Sequence, residues 1–221
     1  MKLFCVELAR TVWFFDLAAL NPSGRSLTKL LTDLVTRYQF KKYPTNIFDL
    51  NSEKALRFEE GEFMNKEGNV ISVSLGIYND GVVSDTRSST DDSIAFFKDV
   101  LSWIKAEHNL EFASENIVET GYVSQLTLIS DKKLAALNPK LESFIARLSA
   151  EMKDRDGKPR PYHIGGITLW GEDGGKPNAN APFKFEQRLG RPLSENKYYS
   201  QAPVSTGKHM ELLAELEEIL S

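Results

Sequence analysis

The sequence predicts an α+β fold in which helices pack on one side of antiparallel sheets. Short runs of alternating apolar residues predict strands, and longer segments with apolar residues three and four positions apart predict amphipathic helices. The clearest strand pair lies in residues 70–87, where Asn79-Asp80-Gly81 provides a close turn between two apolar runs. Several strands follow one another with no helix between them, which favours antiparallel pairing over a parallel sheet.

The N-terminal segment is predicted to contain two strands and a helix. Residues 3–9 and 12–19 are the predicted strands, and the turn-forming residues at 21–24 separate them from the helix. Ser26 is predicted to cap this helix, because its hydroxyl can accept a hydrogen bond from the free N–H groups of the first turn. The apolar face of the helix consists of Leu27, Leu30, Leu31, Leu34, Val35 and Tyr38.

The next segment is predicted to complete three antiparallel strands and to begin a second helix. A strand starts at Leu56 and turns at residues 65–68 into the strand pair described above. Ser89 is predicted to begin the helix, with Asp91 and Asp92 placed favourably near its positive end. The inner stripe of this helix is predicted to consist of Ile94, Phe97, Leu101 and Ile104.

A further strand and a third helix are predicted in the middle of the chain. The strand occupies residues 117–129, and Asn138 caps the helix with Pro139 at its first position, where a missing N–H has no cost. Charged residues, glycine and prolines at 154–161 then predict a break. The apolar stripe of this third helix is predicted to consist of Leu141, Phe144, Ile145, Leu148 and Met152.

The C-terminal segment is predicted to contain a second hairpin and a final helix. Residues 162–170 and 183–188 are the paired strands, joined by a glycine- and asparagine-rich loop at 171–181. The final helix begins near Thr206 and carries Met210, Leu213, Leu216 and Leu220.

The order of these elements suggests a hypothesis of pseudo-duplication. Each half, 1–110 and 111–221, can be written as strand, helix, hairpin and helix, although the halves share negligible sequence identity. We therefore predict a single α+β domain over residues 1–221, with these two halves packed intimately together.

Composition predicts a folded protein of the cytoplasm. The chain has 221 residues, 41% of them hydrophobic, which is enough to bury a core. Cys5 is its single cysteine, so no intramolecular disulfide can form, as is usual in the cytosol. Glu7, Arg10 and Asp16 interrupt the apolar N-terminus, so we expect neither a signal peptide nor a membrane span.

No motif in the chain identifies a catalytic set, and we expect no cofactor and no metal. The loop Gly171–Pro177 lacks the spacing of a phosphate-binding loop, and His108, His163 and His209 are too scattered for a zinc site. An acidic group could offer oxygen ligands to a hard cation, but turn and helix-start positions explain several of its members better. This group consists of Asp80, Asp85, Asp91, Asp92, Glu59, Glu60 and Glu62.

Residues 188–203 are predicted to form an irregular segment that binds a partner. Tyrosine and arginine carry much of the binding energy at protein interfaces, and long loops in compact domains are often functional. A structural alternative is that both tyrosines pack the loop onto the sheet. The predicted partner-binding residues are Arg188, Arg191, Lys197, Tyr198 and Tyr199.

From these observations we expect a non-catalytic interaction or assembly subunit that binds a protein partner or a second copy of itself. The alternative is a protein that binds nucleic acid, or processes it with a metal, through residues 153–208, which carry 10 basic and 6 acidic side chains. An enzyme acting on a small molecule is the third hypothesis, because catalytic groups can converge from distant positions.

Overall fold

The computed structural model describes residues 1–20, 26–44, 55–110, 114–152, 155–158, 161–172 and 180–221. These residues form an antiparallel sheet and four α-helices, which confirms the α+β class. The strands are β1 (Lys2–Phe14), β2 (Leu56–Met64), β3 (Val70–Tyr78), β4 (Gly81–Thr86), β5 (Glu119–Ile129), β6 (Gly166–Leu169), β7 (Phe183–Gln187) and β8 (Lys197–Ala202). The helices are α1 (Thr28–Tyr38), α2 (Thr90–His108), α3 (Glu142–Glu151) and α4 (Thr206–Ile219).

The strands follow the order β2-β3-β4-β1-β5-β8-β7-β6 in the sheet. Along the chain, the sequence of strand, helix, three strands and helix occurs twice, from β1 to α2 and from β5 to α4. The observed unit therefore has one strand more than the predicted unit. Duplication remains a hypothesis, as does a division at residue 110.

Residue contacts divide the chain into two compact units. The N-unit consists of Val6–Gln125 and Pro203–Gly207, and the C-unit consists of Met1–Cys5, Leu126–Ala202 and Lys208–Ser221.

The core of the N-unit lies between one face of strands β1 to β4 and the helices α1 and α2. Alternation along β1 buries Ala9, Thr11 and Trp13 on this face, and Trp13 is paired with Val82 of β4. The Trp13 ring centre lies 4.7 Å from that of Phe97 on α2. The predicted face of α1 is confirmed by four buried residues, Leu30, Leu31, Leu34 and Tyr38.

Two predictions for the N-terminal segment are wrong. Residues 3–9 and 12–14 belong to one continuous strand, β1, which pairs with β4 without a break from Ala9 to Phe14, and Leu17–Leu20 forms a 3₁₀ turn instead of strand. The Arg10 guanidinium in the middle of this strand is bonded to both carboxylate oxygens of Asp85, at 2.7 and 2.8 Å. Ser26 does not cap α1, which begins after Leu27 with no side-chain cap. The predicted turn at 21–24 lies outside the described residues.

The start of α2 is confirmed and its buried stripe is broader than predicted. The Ser89 hydroxyl accepts a hydrogen bond from the N–H of Asp92 at 3.0 Å. Ile94 and Leu101 of the predicted stripe are only half-buried. Aromatic residues fill the core-facing side of α2 alongside the predicted ones, and its buried apolar residues are Phe96, Phe97, Val100, Trp103 and Ile104.

In the C-unit, strands β6, β7 and β8 form an antiparallel meander, and α4 packs on one face of it. His209 of α4 is fully buried, with its Nε2 atom 2.9 Å from the Ser200 hydroxyl on β8. The paired strands predicted at 162–170 and 183–188 are confirmed as a shorter hairpin of β6 and β7. The loop between them lies largely outside the described residues.

The third helix differs from its prediction at its start and in its burial. Pro139–Leu141 forms a 3₁₀ turn and the α-helix begins only at Glu142, while Asn138 makes no side-chain cap hydrogen bond. No residue of α3 is fully buried, and Phe144 is 61% exposed.

Among the residues that the structure covers, no helix is both long and apolar enough to cross a membrane.

Candidate interaction surface

The strand register of the C-unit places the predicted site residues on two different faces of its sheet. Ser200 contacts α4 and lies opposite Phe185, so these two residues share the face that α4 covers. Tyr199 lies opposite Glu186 and belongs to the other face, because successive residues of a strand point in opposite directions. We call this second face the outer face; it carries Lys184, Glu186, Lys197, Tyr199 and Gln201.

The prediction that residues 188–203 are irregular is wrong for residues 197–202, which form β8. After a 3₁₀ turn at Leu193–Glu195, Asn196 adopts a left-handed conformation with φ 50°, and β8 follows immediately. The backbone N–H of Arg188 donates to the carbonyl of Lys197 at 2.9 Å, which closes the connection between β7 and β8. Alternation of larger polar residues at 197, 199 and 201 with Ser200 and Ala202 was the sequence signal for this strand.

Four of the five predicted residues form a cationic–aromatic cluster on the C-unit together with Phe4. These four are Arg188, Arg191, Lys197 and Tyr199. The guanidinium carbon of Arg188 lies 5.7 Å from the centre of the Tyr199 ring. The ammonium group of Lys197 lies 4.7 Å from the centre of the Phe4 ring. Such contacts are worth about 0.5 to 1 kcal/mol each at exposed sites and hold cations in place over flat apolar groups.

Glu195 lies between Arg191 and Lys197 and links these two cations. One of its carboxylate oxygens lies 3.1 Å from the Lys197 ammonium nitrogen, and the other lies 3.9 Å from a guanidinium nitrogen of Arg191. The Arg191 side chain keeps 56% of its surface exposed. The cluster therefore combines fixed cations, aromatic faces and one carboxylate within reach of solvent.

Tyr198, the fifth predicted residue, packs on the opposite face. Its ring stacks on that of Phe185 with centres 4.8 Å apart and an angle of 11°, and its hydroxyl donates to the carbonyl of Lys132 at 3.2 Å. Burial raises the pKa of Tyr198. These contacts fit the alternative in which a tyrosine packs this segment onto the sheet. We therefore leave Tyr198 out of the cationic–aromatic cluster.

A groove of about 470 Å³ lies beside the cluster. Gly165, Gly166 and Thr168 form one side of it, and Glu186 and the turn Arg188–Arg191 form the other. Gly166 is required there, because a Cβ atom would lie 2.6 Å from that of Glu186. At the tip of the turn, Leu189 is 91% exposed, which places an apolar side chain among the cations.

Ser200 and His209 form a buried pair that no local sequence pattern indicates. The Ser200 hydroxyl donates to the carbonyl of Lys184 at 2.8 Å, so the Nε2–H of His209 is the donor in the 2.9 Å bond between the two side chains. Burial lowers the pKa of His209 to about 4. Because both residues are fully buried and the hydroxyl proton is committed to a carbonyl, the pair stabilises the packing of α4 and offers no accessible nucleophile.

Members of the acidic group have separate local partners in the N-unit. Asp85 binds Arg10, Glu60 forms an ion pair with Lys42, and Asp92 accepts a hydrogen bond from Asn65. No group of three or more histidine, cysteine or acidic side chains that could hold a metal occurs within the described ranges.

The N-unit also contains an apolar cavity of about 280 Å³ between α1, α2 and the sheet. Its described lining consists of aliphatic and aromatic residues such as Phe15, Leu34 and Phe97. That lining contains no titratable side chain, and the Trp13 indole is its single hydrogen-bonding group, so the described lining offers no general acid or base.

Comparison with known proteins gives no family. Neither a protein-family model nor any curated protein matches this chain. Function must therefore be inferred from the chemistry of the surfaces themselves, and among those described here the cationic–aromatic cluster has the clearest binding chemistry.

Proposed function

We propose that this protein is a non-catalytic interaction subunit that binds a protein partner through the outer face and the cationic–aromatic cluster of its C-unit. The observation that carries the proposal is the placement of Arg188 over Tyr199, next to the exposed Arg191 and Leu189. Arginine and tyrosine are enriched among interface residues that lose much binding energy when truncated, since they combine large contact area with hydrogen bonding.

The mixed charge of this surface favours a protein partner over nucleic acid. Glu186 and Glu195 lie among the cations, and Glu195 is only 3.1 Å from the Lys197 ammonium group. These carboxylates divide the positive charge of the surface into small groups, whereas nucleic-acid surfaces are usually concentrated patches of positive charge.

We place this activity in the cytoplasm, as the sequence predicts. The supporting observation is that Cys5 is the only cysteine of the chain and is exposed, so the fold has no intramolecular disulfide.

The test compares three tagged forms of the full chain as baits in extract of the organism's own cells. The variant Arg188→Ala with Tyr199→Ala removes a cation and a ring of the cluster, and the control Lys140→Ala with Tyr162→Ala likewise removes one cation and one tyrosine from exposed positions outside it. We expect a partner recovered by the wild type and the control to fall at least tenfold with the variant, because two interface anchors are lost. Identical protein sets in all three recoveries would refute the proposal.

Two further measurements separate the alternatives. Retention on mixed-sequence DNA or RNA that weakens steeply with salt and disappears in the Arg188 and Tyr199 variant would replace the protein partner with nucleic acid. A concentration-dependent dimer in sedimentation, lost in the same variant, would make a second copy the partner.

A further inference from the structure

The strand β6 presents an open backbone edge in the C-unit. It ends the strand order of the sheet, and among the described strands it pairs only with β7. The N–H of Gln187 donates to the carbonyl of Gly165 at 2.7 Å, so in this register Ile167 and Leu169 also direct their backbone groups to β7. The N–H and C=O groups of Gly166 and Thr168 therefore point away from β7.

This edge is short, with four residues, but it lacks the charged residues and proline that often protect a strand edge. The segment from Gly165 to Trp170 contains no charged residue and no proline. Leu169 is 60% exposed and Trp170 is 66% exposed. Natural proteins commonly place lysine, proline or a bulge on such an edge because it can otherwise pair with another chain.

The charge beside the edge indicates the kind of strand that it would accept. Gly166 and Thr168 also border the groove, whose charged residues are Arg188, Arg191 and Glu186. An incoming strand would place alternate side chains on the outer face, next to the two arginines, and the others beside Leu169. Acidic residues suit the first set and apolar residues suit the second.

We propose that β6 accepts an extended segment of a protein partner as an added strand, and that this segment alternates acidic and apolar residues. The inference rests on the proposed interaction function and names its mode of binding. Backbone hydrogen bonds to Gly166 and Thr168 supply part of the affinity, and the arginines beside the groove supply selectivity for acidic side chains.

The probe is a fluorescein-labelled octapeptide of alternating glutamate and valine, with a lysine–valine peptide as the charge control, measured by fluorescence anisotropy on the full chain. We expect Thr168→Pro to weaken binding of the acidic peptide about tenfold, because proline removes an outward N–H while leaving the ladder to β7 intact. Thr168→Val retains the N–H and should bind within about twofold of the wild type. Arg191→Glu should reverse the preference between the two peptides.

Peptides methylated on backbone nitrogen atoms test whether the peptide pairs with β6 as a strand, without altering the protein. Only alternate residues of an added strand direct their N–H groups to β6, so methylation of one alternate set should abolish binding and methylation of the other should not. Binding that tolerates both methylations, or absence of any difference between the acidic and basic peptides, would overturn the proposal. A dimer of the wild type that Thr168→Pro dissociates would also overturn it, because the occupant would then be a second copy.

Failure of strand addition and failure of the interaction function give different results. If Thr168→Pro retains the partner recovered from extract but the Arg188 and Tyr199 variant loses it, the interaction function stands and strand addition is wrong. If both variants retain every protein that the wild type recovers, the interaction function itself is wrong.

Discussion

Acidification should destabilise this protein through His209, whose neutral form the fold requires. Its Nε2–H donates to Ser200, and the Phe183 ring centre lies 6.2 Å from that of the imidazole. Burial lowers its pKa from 6.5 to about 4, so between these values the unfolded chain takes up a proton that the native chain does not. Stability conferred by the neutral ring is therefore complete above pH 6.5 and is lost as the pH falls towards 4, by about 3 kcal/mol.

The variant His209→Gln isolates this contribution, because the amide can still donate a hydrogen bond to Ser200 but does not titrate. The free energy of unfolding is measured from urea denaturation, followed by tryptophan fluorescence, at pH 7 and pH 4. Carboxylate groups titrate in both proteins, so their contributions to the free energy of unfolding cancel in the comparison. The stability advantage of the wild type over the variant should therefore fall by about 3 kcal/mol between the two pH values.

The control for this experiment is Leu213→Ala, another fully buried position on α4 with no titratable group. Its destabilisation should be the same at both pH values, because it removes only packing. A difference between the wild type and His209→Gln that stays constant within about 0.5 kcal/mol from pH 7 to pH 4 would refute the assignment of a buried neutral imidazole.

The remaining predictions concern backbone conformation and one buried hydroxyl, each measured as a free energy of unfolding in urea. Gly81→Ala should cost about 2 kcal/mol or more, because φ is 157° and a Cβ atom would lie 2.2 Å from the carbonyl oxygen of Trp13. Gly68→Ala, with φ 81° and open space around it, should cost only about 1 kcal/mol, and equal losses at the two glycines would contradict the steric argument. Tyr38→Phe removes a 2.7 Å hydrogen bond to Asp99 and should cost about 1 kcal/mol, whereas an unchanged midpoint would show that this bond contributes nothing.

Sequence reasoning succeeded where local spacing determines structure. The turn at Asn79-Asp80-Gly81, the Ser89 cap and the apolar face of α1 each depend on residues within a few positions of one another. Predictions failed where a distant partner decides. β1 is continuous because its backbone pairs with β4 from Ala9 to Phe14, and β8 is a strand because its backbone pairs with β7.

The candidate site was partly predictable for the same reason. Residue types alone identified Arg188, Arg191, Lys197 and Tyr199 as partner-binding candidates, and whether they bind a partner remains to be tested. The contact between Phe4 and Lys197 spans almost the whole chain, and no local pattern predicts it. Tyr198 and Tyr199 are adjacent in sequence, yet strand pairing directs them to opposite faces of the sheet.

The sequence by itself determined the α+β class, the positions of most helices and the turns that join adjacent strands, because periodicity, capping and turn chemistry act over short distances. Only the tertiary structure decided which face each polar residue occupies, which strand is left with an open edge, and that Ser200 lies against His209. Those outcomes depend on the register between segments far apart in sequence, where a shift of one residue moves every side chain to the other face.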